Sequence, residues 1–221
     1  MIVFFDIDDT LIDHSRAMQF AVRQIHQQYQ LSSQRNQFEE AWRLAHFRHY
    51  PRYLRGEITY DALRRIRVRE TVAPDLDDQQ ADALFETYLL AYRANWMLFD
   101  DVSFCLQQLS SRHLGIISNG PADEQRNKLH DMKIAPHFSM ILISADCRIP
   151  KPRREIFQIA CQKARVRVED AIYVGDHPEI DAVASQKAGL RAIWLNRSNR
   201  DSHPQSIETI HSLRELPRLV S

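Results

Sequence analysis

Glycine is scarce in this chain. There are 5 in 221 residues, where average usage of about 7% would give roughly 15. So few argue against a sandwich of many tight hairpins and for helices joined by economical turns. The 3 cysteines, an odd number, cannot complete a disulfide framework, which points to a reducing compartment. No apolar run approaches the roughly 20 residues needed to cross a bilayer. The opening, Ile2 to Phe5 followed by Asp6, Asp8 and Asp9, lacks the basic start and longer apolar stretch of a secretory signal. These absences predict a cytoplasmic address. Net charge is missing too, since 29 Lys+Arg balance 29 Asp+Glu. No bulk field draws the chain to a nucleic-acid polymer or an anionic membrane. Apolar content of 44% and charged content of 26% are those of an ordinary globular protein, long enough for one large domain or two small ones.

Two textures alternate along the chain. Residues 14 to 97 hold one glycine, no convincing strand and four helical stripes. These are Ala17, Phe20, Ala21, Ile25 and Tyr29; Phe38, Trp42 and Ala45; Ile58, Ala62, Leu63 and Ile66; and Ala81, Leu84, Phe85, Tyr88, Leu89 and Tyr92. They read as a small helical bundle. Elsewhere, short apolar runs (2–5, 114–117, 140–143, 171–174, 192–195) alternate with helical patterns near 101–112, 121–132, 153–165 and 178–188. Such runs suggest a parallel sheet covered on both faces. The fold class is therefore α/β, a Rossmann-like core of residues 1–13 and 98–221 with a helical domain, 14–97, inserted after the first strand.

Ligands of open parallel sheets sit beyond the carboxyl ends of the strands. Polar residues follow four of the five runs: Asp6 to Thr10, Ser118-Asn119-Gly120, Lys151, and Gly175 through Asp181. Four carboxylates, Asp6, Asp8, Asp176 and Asp181, would repel one another there without compensation. A divalent cation with oxygen ligands, together with Lys151, would supply it. Pro121, a favoured opening residue for a helix, follows Ser118-Asn119-Gly120, and backbone N–H groups at such a turn suit an anion. A carboxylate nucleophile, a metal, a lysine and an anion-binding turn describe phosphoryl transfer through an aspartyl-phosphate.

Asp6-Ile7-Asp8-Asp9-Thr10-Leu11, Ser118-Asn119-Gly120, Lys151-Pro152 and Gly175-Asp176 through Asp181, taken in order, resemble the four motifs of the haloacid dehalogenase-like (HAD) hydrolases. The helical insert looks like that family's C1-type cap, which would close over the site. The resemblance implies that Asp6 is the nucleophile and that Asp8 is the general acid, then the base. It implies Mg2+ held by the carboxylates of Asp6 and Asp176 and the main-chain carbonyl of Asp8. Asp181 would position a metal water or Lys151, with Thr10 in the same supporting layer. Ser118 and the backbone N–H of Asn119 would bind the phosphoryl group, and Lys151 would neutralise its charge.

The same resemblance separates branches. Dehalogenases lack the second aspartate, which Asp8 provides here, and phosphonatases use a cap lysine, whereas residues 14–97 contain none. Phosphatases and phosphomutases remain, and because phosphatases are the larger branch the resemblance implies a Mg2+-dependent phosphomonoester hydrolase. Asp-Asp-Thr looks like the nucleotidase and flavin mononucleotide phosphatase subset, so the expected partner is a small phosphomonoester: a nucleotide, flavin mononucleotide or a sugar phosphate. A phosphomutase, or a non-catalytic phosphate-binding regulator, is the alternative. Departures stand out: Asp9 and Arg148 occupy positions where relatives often carry glycine, and Glu179-Ile180 replaces a frequent Glu-Asn. His177 either reaches substrate or shapes its turn.

The remaining features have plainer readings. Cap arginines 43, 48, 52, 55, 64, 65, 67 and 69 read as a solvated face, with Arg48 and Arg52 as candidates for leaving-group contact. His46 and His49, three apart on a helix, have the spacing of a transition-metal pair, but no companion cysteine or acid motif accompanies them in the sequence. Phe20, Phe38, Phe85 and Trp96 read as bundle core, and Cys105, Cys147 and Cys161 as small buried apolar residues.

Overall fold

A computed structural model describes residues 1–31, 33–199 and 206–220. The chain divides into two compact units, Met1–Asp13 with Leu98–Ser221, and His14–Met97. In chain order, β1 (Ile2–Phe5) leads to α1 (His14–Gln28), α2 (Arg35–Leu54), α3 (Tyr60–Thr71) and α4 (Asp78–Ala94). Then come α5 (Val102–Gln108), β2 (His113–Ser118), α6 (Ala122–Asp131), β3 (Met140–Ile143) and α7 (Ser144–Cys147). The last elements are α8 (Arg154–Ala164), β4 (Ala171–Gly175), α9 (Ala184–Lys187), β5 (Arg191–Leu195), β6 (Glu208–Ile210) and α10 (Leu216–Leu219).

Among the described residues the six strands are all parallel, in the order β3-β2-β1-β4-β5-β6. Strand side chains alternate between faces. Val3 and Phe5 of β1 therefore join one apolar cluster with Leu106 and Ile116, while Ile2 and Phe4 join the other with Phe157 and Tyr173. Burial on both sides is why these strands read as unbroken apolar runs. The strand order reverses at β1, between β2 and β4, and this is where a sheet of this kind opens a crevice for a ligand.

The helical unit follows from local signals. Thr59 caps α3 by accepting from the N–H of Ala62, and Asp77 with Gln80 forms a capping box at the start of α4. Arg65 on α3 reaches Asp78 and Asp82 on α4. Phe38, Trp42, Phe85 and Trp96 are buried as expected, but Phe20 is not. It is 42% exposed, and the guanidinium of Arg16 covers its ring. The stripe of α3 also differs from the expected one: Leu63, Arg67 and Val68 form its buried face, and Ile58 precedes the helix. A guanidinium over the rings of Trp42, Phe85 and Tyr88 carries this part of the interface, which an apolar pattern could not reveal. Arg48 pairs with Glu70, and Arg52 with His49 and Glu57, within the same unit. His49 also meets Glu70.

Arg148 has φ 56° and is exposed, in the left-handed region where a Cβ is penalised. Arg148→Gly is expected to raise stability by roughly 1 kcal/mol, less the unfolded-state entropy of glycine. A denaturant melt reads it directly, and a lower midpoint would contradict it.

Candidate active site

Four loops at the carboxyl edge of β1, β2, β3 and β4 assemble the site within the α/β unit. The β1 loop leaves the sheet after Asp6, whose N–H still bonds to Val174 O at 3.0 Å, and it turns through Asp9 at φ 56°. The left-handed turn explains why a glycine would serve at Asp9, and aspartate is among the residues that tolerate it. Arg197 anchors the loop from the far side, donating to Thr10 O at 2.8 Å while gripping both oxygens of Asp101.

Lys151 stands at the centre, 3% exposed. Its Nζ lies 2.6 Å from Asp181 Oδ1, 2.8 Å from Asp6 Oδ1 and 2.8 Å from the Tyr173 hydroxyl. The Tyr173 hydroxyl donates onward to Ile117 O, so the lysine is held by three partners and its phenol by the sheet itself. Asn119 binds the Lys151 backbone twice: its Nδ2 donates to Lys151 O at 3.0 Å and its Oδ1 accepts from Lys151 N at 2.8 Å. With that side chain committed, Asn119 meets any ligand through its main chain.

After β4 the chain makes a π-helical turn, Pro178–Val183, a widened geometry often found at functional sites. It carries Asp181, whose Oδ2 accepts from His177 N at 3.0 Å. Gly175 permits this approach, because a Cβ there would come within 2.5 Å of the Asp181 carboxyl. The His177 ring accepts from the N–H groups of Glu179 and Ile180, which makes it a shaper of the turn. Trp194 Nε1 donates to Asp176 O at 2.8 Å and fixes the other end.

Carboxylate oxygens of Asp6, Asp176 and Asp181 all lie within 4.8 Å of one another. Against these three charges stands Lys151. Burial, opposed by Lys151 and reinforced by Asp181 and Asp8, pushes Asp6 up to about 6. Burial and the neighbouring acids Asp181, Asp6 and Asp9 raise Asp176 well above the usual carboxylate range. Groups that resist ionisation this way are short of positive charge, and one divalent cation would balance three carboxylates and a lysine. An all-oxygen donor set suits Mg2+.

The other expected residues are here as well. Ser118 is buried at the end of β2, and Thr10 is buried with its hydroxyl lacking a hydrogen-bond partner among the described residues. Asp8 stands apart from the three-carboxylate group: Lys128 Nζ lies 2.7 Å from its Oδ1, and Gln125 Nε2 donates to its Oδ2 at 2.8 Å. Sequence reasoning missed Gln125, Lys128 and Tyr173. No sequence signal marks the first two, because only the path of α6 buries them beside Asp8.

A family model for haloacid dehalogenase-like hydrolases matches residues 3–195, and the chain belongs to that family. More particularly, it is similar to the phosphoserine phosphatase of Thermus thermophilus, with 33% identity over 136 residues (61% of this chain and 53% of that protein). It is also similar to the pyrimidine 5'-nucleotidase YjjG of Escherichia coli, with 34% identity over 114 residues (48% and 49%). The chain spans about half the length of these two relatives. In fold it is like the magnesium-bound HAD-hydrolase YfnB of Bacillus subtilis, with TM-score 0.81, 23% identity and coverage of 100% of this chain and 98% of that one. No helix among the described residues is long and apolar enough to cross a membrane.

Proposed function

We propose that the protein is a Mg2+-dependent phosphomonoester hydrolase acting on a small organic phosphate: a nucleotide, flavin mononucleotide or a sugar phosphate. The observation that carries this reading is the triad of carboxylates within 4.8 Å of one another, with Lys151 bonded to two of them. The names of the Thermus and Escherichia relatives support the reaction class.

Asp6 and Asp176, with the main-chain carbonyl of Asp8, would hold Mg2+. When bound, Mg2+ supplies charge neutralisation at the phosphoryl oxygens. Asp6 attacks phosphorus and becomes an aspartyl-phosphate as the P–O bond to the leaving group breaks. Asp8 protonates the departing oxygen and then takes a proton from the water that hydrolyses the intermediate. Lys151, fixed by Asp181 and Tyr173, faces the oxygen of Asp6 and offsets the charge that gathers there. Ser118 and the main chain of Asn119 receive the phosphoryl oxygens. The helical unit, as a C1-type cap, would select the leaving group. The proposed setting is the cytoplasm.

The direct test is turnover of p-nitrophenyl phosphate with Mg2+ and with EDTA, followed by a panel of nucleotides, flavin and sugar phosphates. Chelation is expected to abolish turnover, and full activity in EDTA would refute the reading. An isomerised product in place of free phosphate would identify a mutase. Mg2+ binding is also expected to depend on pH. Protons on Asp6, pushed up to about 6, and on Asp176, raised well above the usual carboxylate range by burial and its neighbouring acids, compete with the cation. The apparent Kd should therefore rise at least about tenfold per pH unit below 6, with proton release seen by calorimetry. A flat profile from pH 5 to 8 would exclude these carboxylates as ligands.

A further inference from the structure

Asp8 is gripped from α6 by two side chains one helical turn apart. Lys128 is fully buried, yet its ammonium lies 2.7 Å from Asp8 Oδ1 and 3.3 Å from Glu124. Gln125, 1% exposed, presents its Nε2 to three oxygens of the site: Asp8 Oδ2 at 2.8 Å, Asn119 O at 2.7 Å and Ser118 Oγ at 3.4 Å. Residues i and i+3 share a helix face, so a single rigid element delivers both donors. Gly120 makes room for the arrangement: a Cβ there would lie 3.0 Å from Gln125 Nε2 and 3.3 Å from its Cγ. Its φ of 134° also keeps the turn in a region that suits glycine.

We propose that Gln125 and Lys128 are positioning residues that set the plane of the Asp8 carboxyl group and direct its proton toward the leaving-group oxygen. This rests on the reading of Asp8 as general acid and base. The chemistry follows from the donor inventory. An ammonium has no acceptor, and the amide nitrogen has none either. Neither of the two nitrogen atoms that face Asp8 from α6 can receive its proton, so the proton is carried on the side of the carboxyl group away from them. In the first step the P–O bond breaks, its electron pair stays on the leaving oxygen, and that oxygen takes the proton from Asp8. The resulting carboxylate keeps one charge-assisted bond to Lys128 and one bond to Gln125. In the second step a proton from water returns to Asp8 as the Asp6–phosphorus bond is hydrolysed. Gln125 also spans Asp8 and the Ser118-Asn119 turn, so the acid and the phosphoryl-binding groups keep a fixed spacing.

The test uses the dependence of rate on leaving group, which a merely structural role would not change. Wild type, Gln125→Met, Lys128→Met and Lys128→Arg are assayed with Mg2+ on p-nitrophenyl phosphate, whose leaving group departs without protonation, and on phenyl phosphate and glycerol 2-phosphate, whose leaving groups need it. In both methionine variants the kcat ratio of p-nitrophenyl to phenyl phosphate is expected to rise at least about tenfold, within the range general acid catalysis spans. The rise should be larger for glycerol 2-phosphate, and Lys128→Arg should recover part of it. Equal losses on all three substrates, or none, would overturn the proposal. Asp8→Asn is the reference. If it lacks leaving-group dependence, the acid role of Asp8 itself fails. If it has the dependence and both methionine variants lack it, only the positioning role fails. Should Lys128→Met not fold, Gln125→Met decides the question alone.

Discussion

Asp6→Asn is expected to abolish turnover and, in the metal-free protein, to raise stability. The activity arm is direct: removing the proposed nucleophile, and with it the proposed covalent intermediate, should lower kcat on p-nitrophenyl phosphate by at least ~10⁴-fold. No phosphoenzyme should appear after rapid quench. The stability arm follows from the crowding of charge. Asp6 sits at about 6 against an ordinary value of 3.8, so its charged form is disfavoured in the folded protein. That penalty is fully present above pH 6 and fades as pH falls toward 4, where the folded state takes up its proton before the unfolded chain does. The neutral amide escapes it while keeping the side chain's volume, and Lys151 keeps Asp181 and Tyr173. In EDTA at pH 8 the variant should be more stable by on the order of 3 kcal/mol, with the gap closing in acid. Undiminished turnover would remove Asp6 from the mechanism. A variant less stable than wild type at pH 8 would contradict the account of the site's charge.

Lys151→Met is expected to do the opposite to stability. The lysine is the cation placed among Asp6, Asp181 and the Tyr173 phenol, and its loss leaves buried carboxylates facing one another. Breaking a buried pair from one side costs about 3–5 kcal/mol. The loss should be largest at neutral pH and shrink in acid, because the stranded carboxylates can then take protons. Saturating Mg2+ should restore part of it, since a cation bound by Asp6 relieves the same repulsion. Thermal melts at pH 5 and pH 8, with and without Mg2+, separate these effects. A pH-independent loss would mean that the methionine disrupts packing and the charge argument is wrong.

Much of the framework was legible because it rests on patterns of one residue type. Five strands show as apolar runs because both sheet faces bury them, and the helical insert shows as a stretch of 3.6-residue periodicity. Strand β6, Glu208–Ile210, has three residues and two of them are polar, so no run marks it. Asp6, Asp8, Ser118 and Asp176 were visible because they stand at the carboxyl ends of apolar strands, and Lys151 because it lies in the connection after β3. Gln125 and Lys128 were not, since a polar residue on a helix normally faces water, and only the tertiary path of α6 buries them beside Asp8. Tyr173 was hidden differently. It belongs to an apolar strand, and its hydroxyl becomes part of the site only when Lys151 arrives from another loop. Asp9 and Arg148 were conspicuous for standing where glycine is common, and their φ of 56° gives the reason. Arg67 and Phe20 show the reverse failure, a cation in the bundle interior and an aromatic ring 42% exposed, where periodicity assigned the opposite.

The position of the helical insert has a consequence for biosynthesis. Strand β1 lies between β2 and β4, so every backbone bond it makes to the sheet waits for residues far downstream. At translation rates of roughly 5–20 residues per second, on the order of 10 s separates the synthesis of Phe5 from that of Ser118. During that interval an apolar strand leaves the ribosome without a neighbour, while the helices that follow hold only contacts local enough to form early. A ribosome-bound chain halted before residue 113 should therefore show helical protection in 14–97 and none in Ile2–Phe5. The strand that leads to Asp6 would be made long before its neighbours and be among the last to find its place.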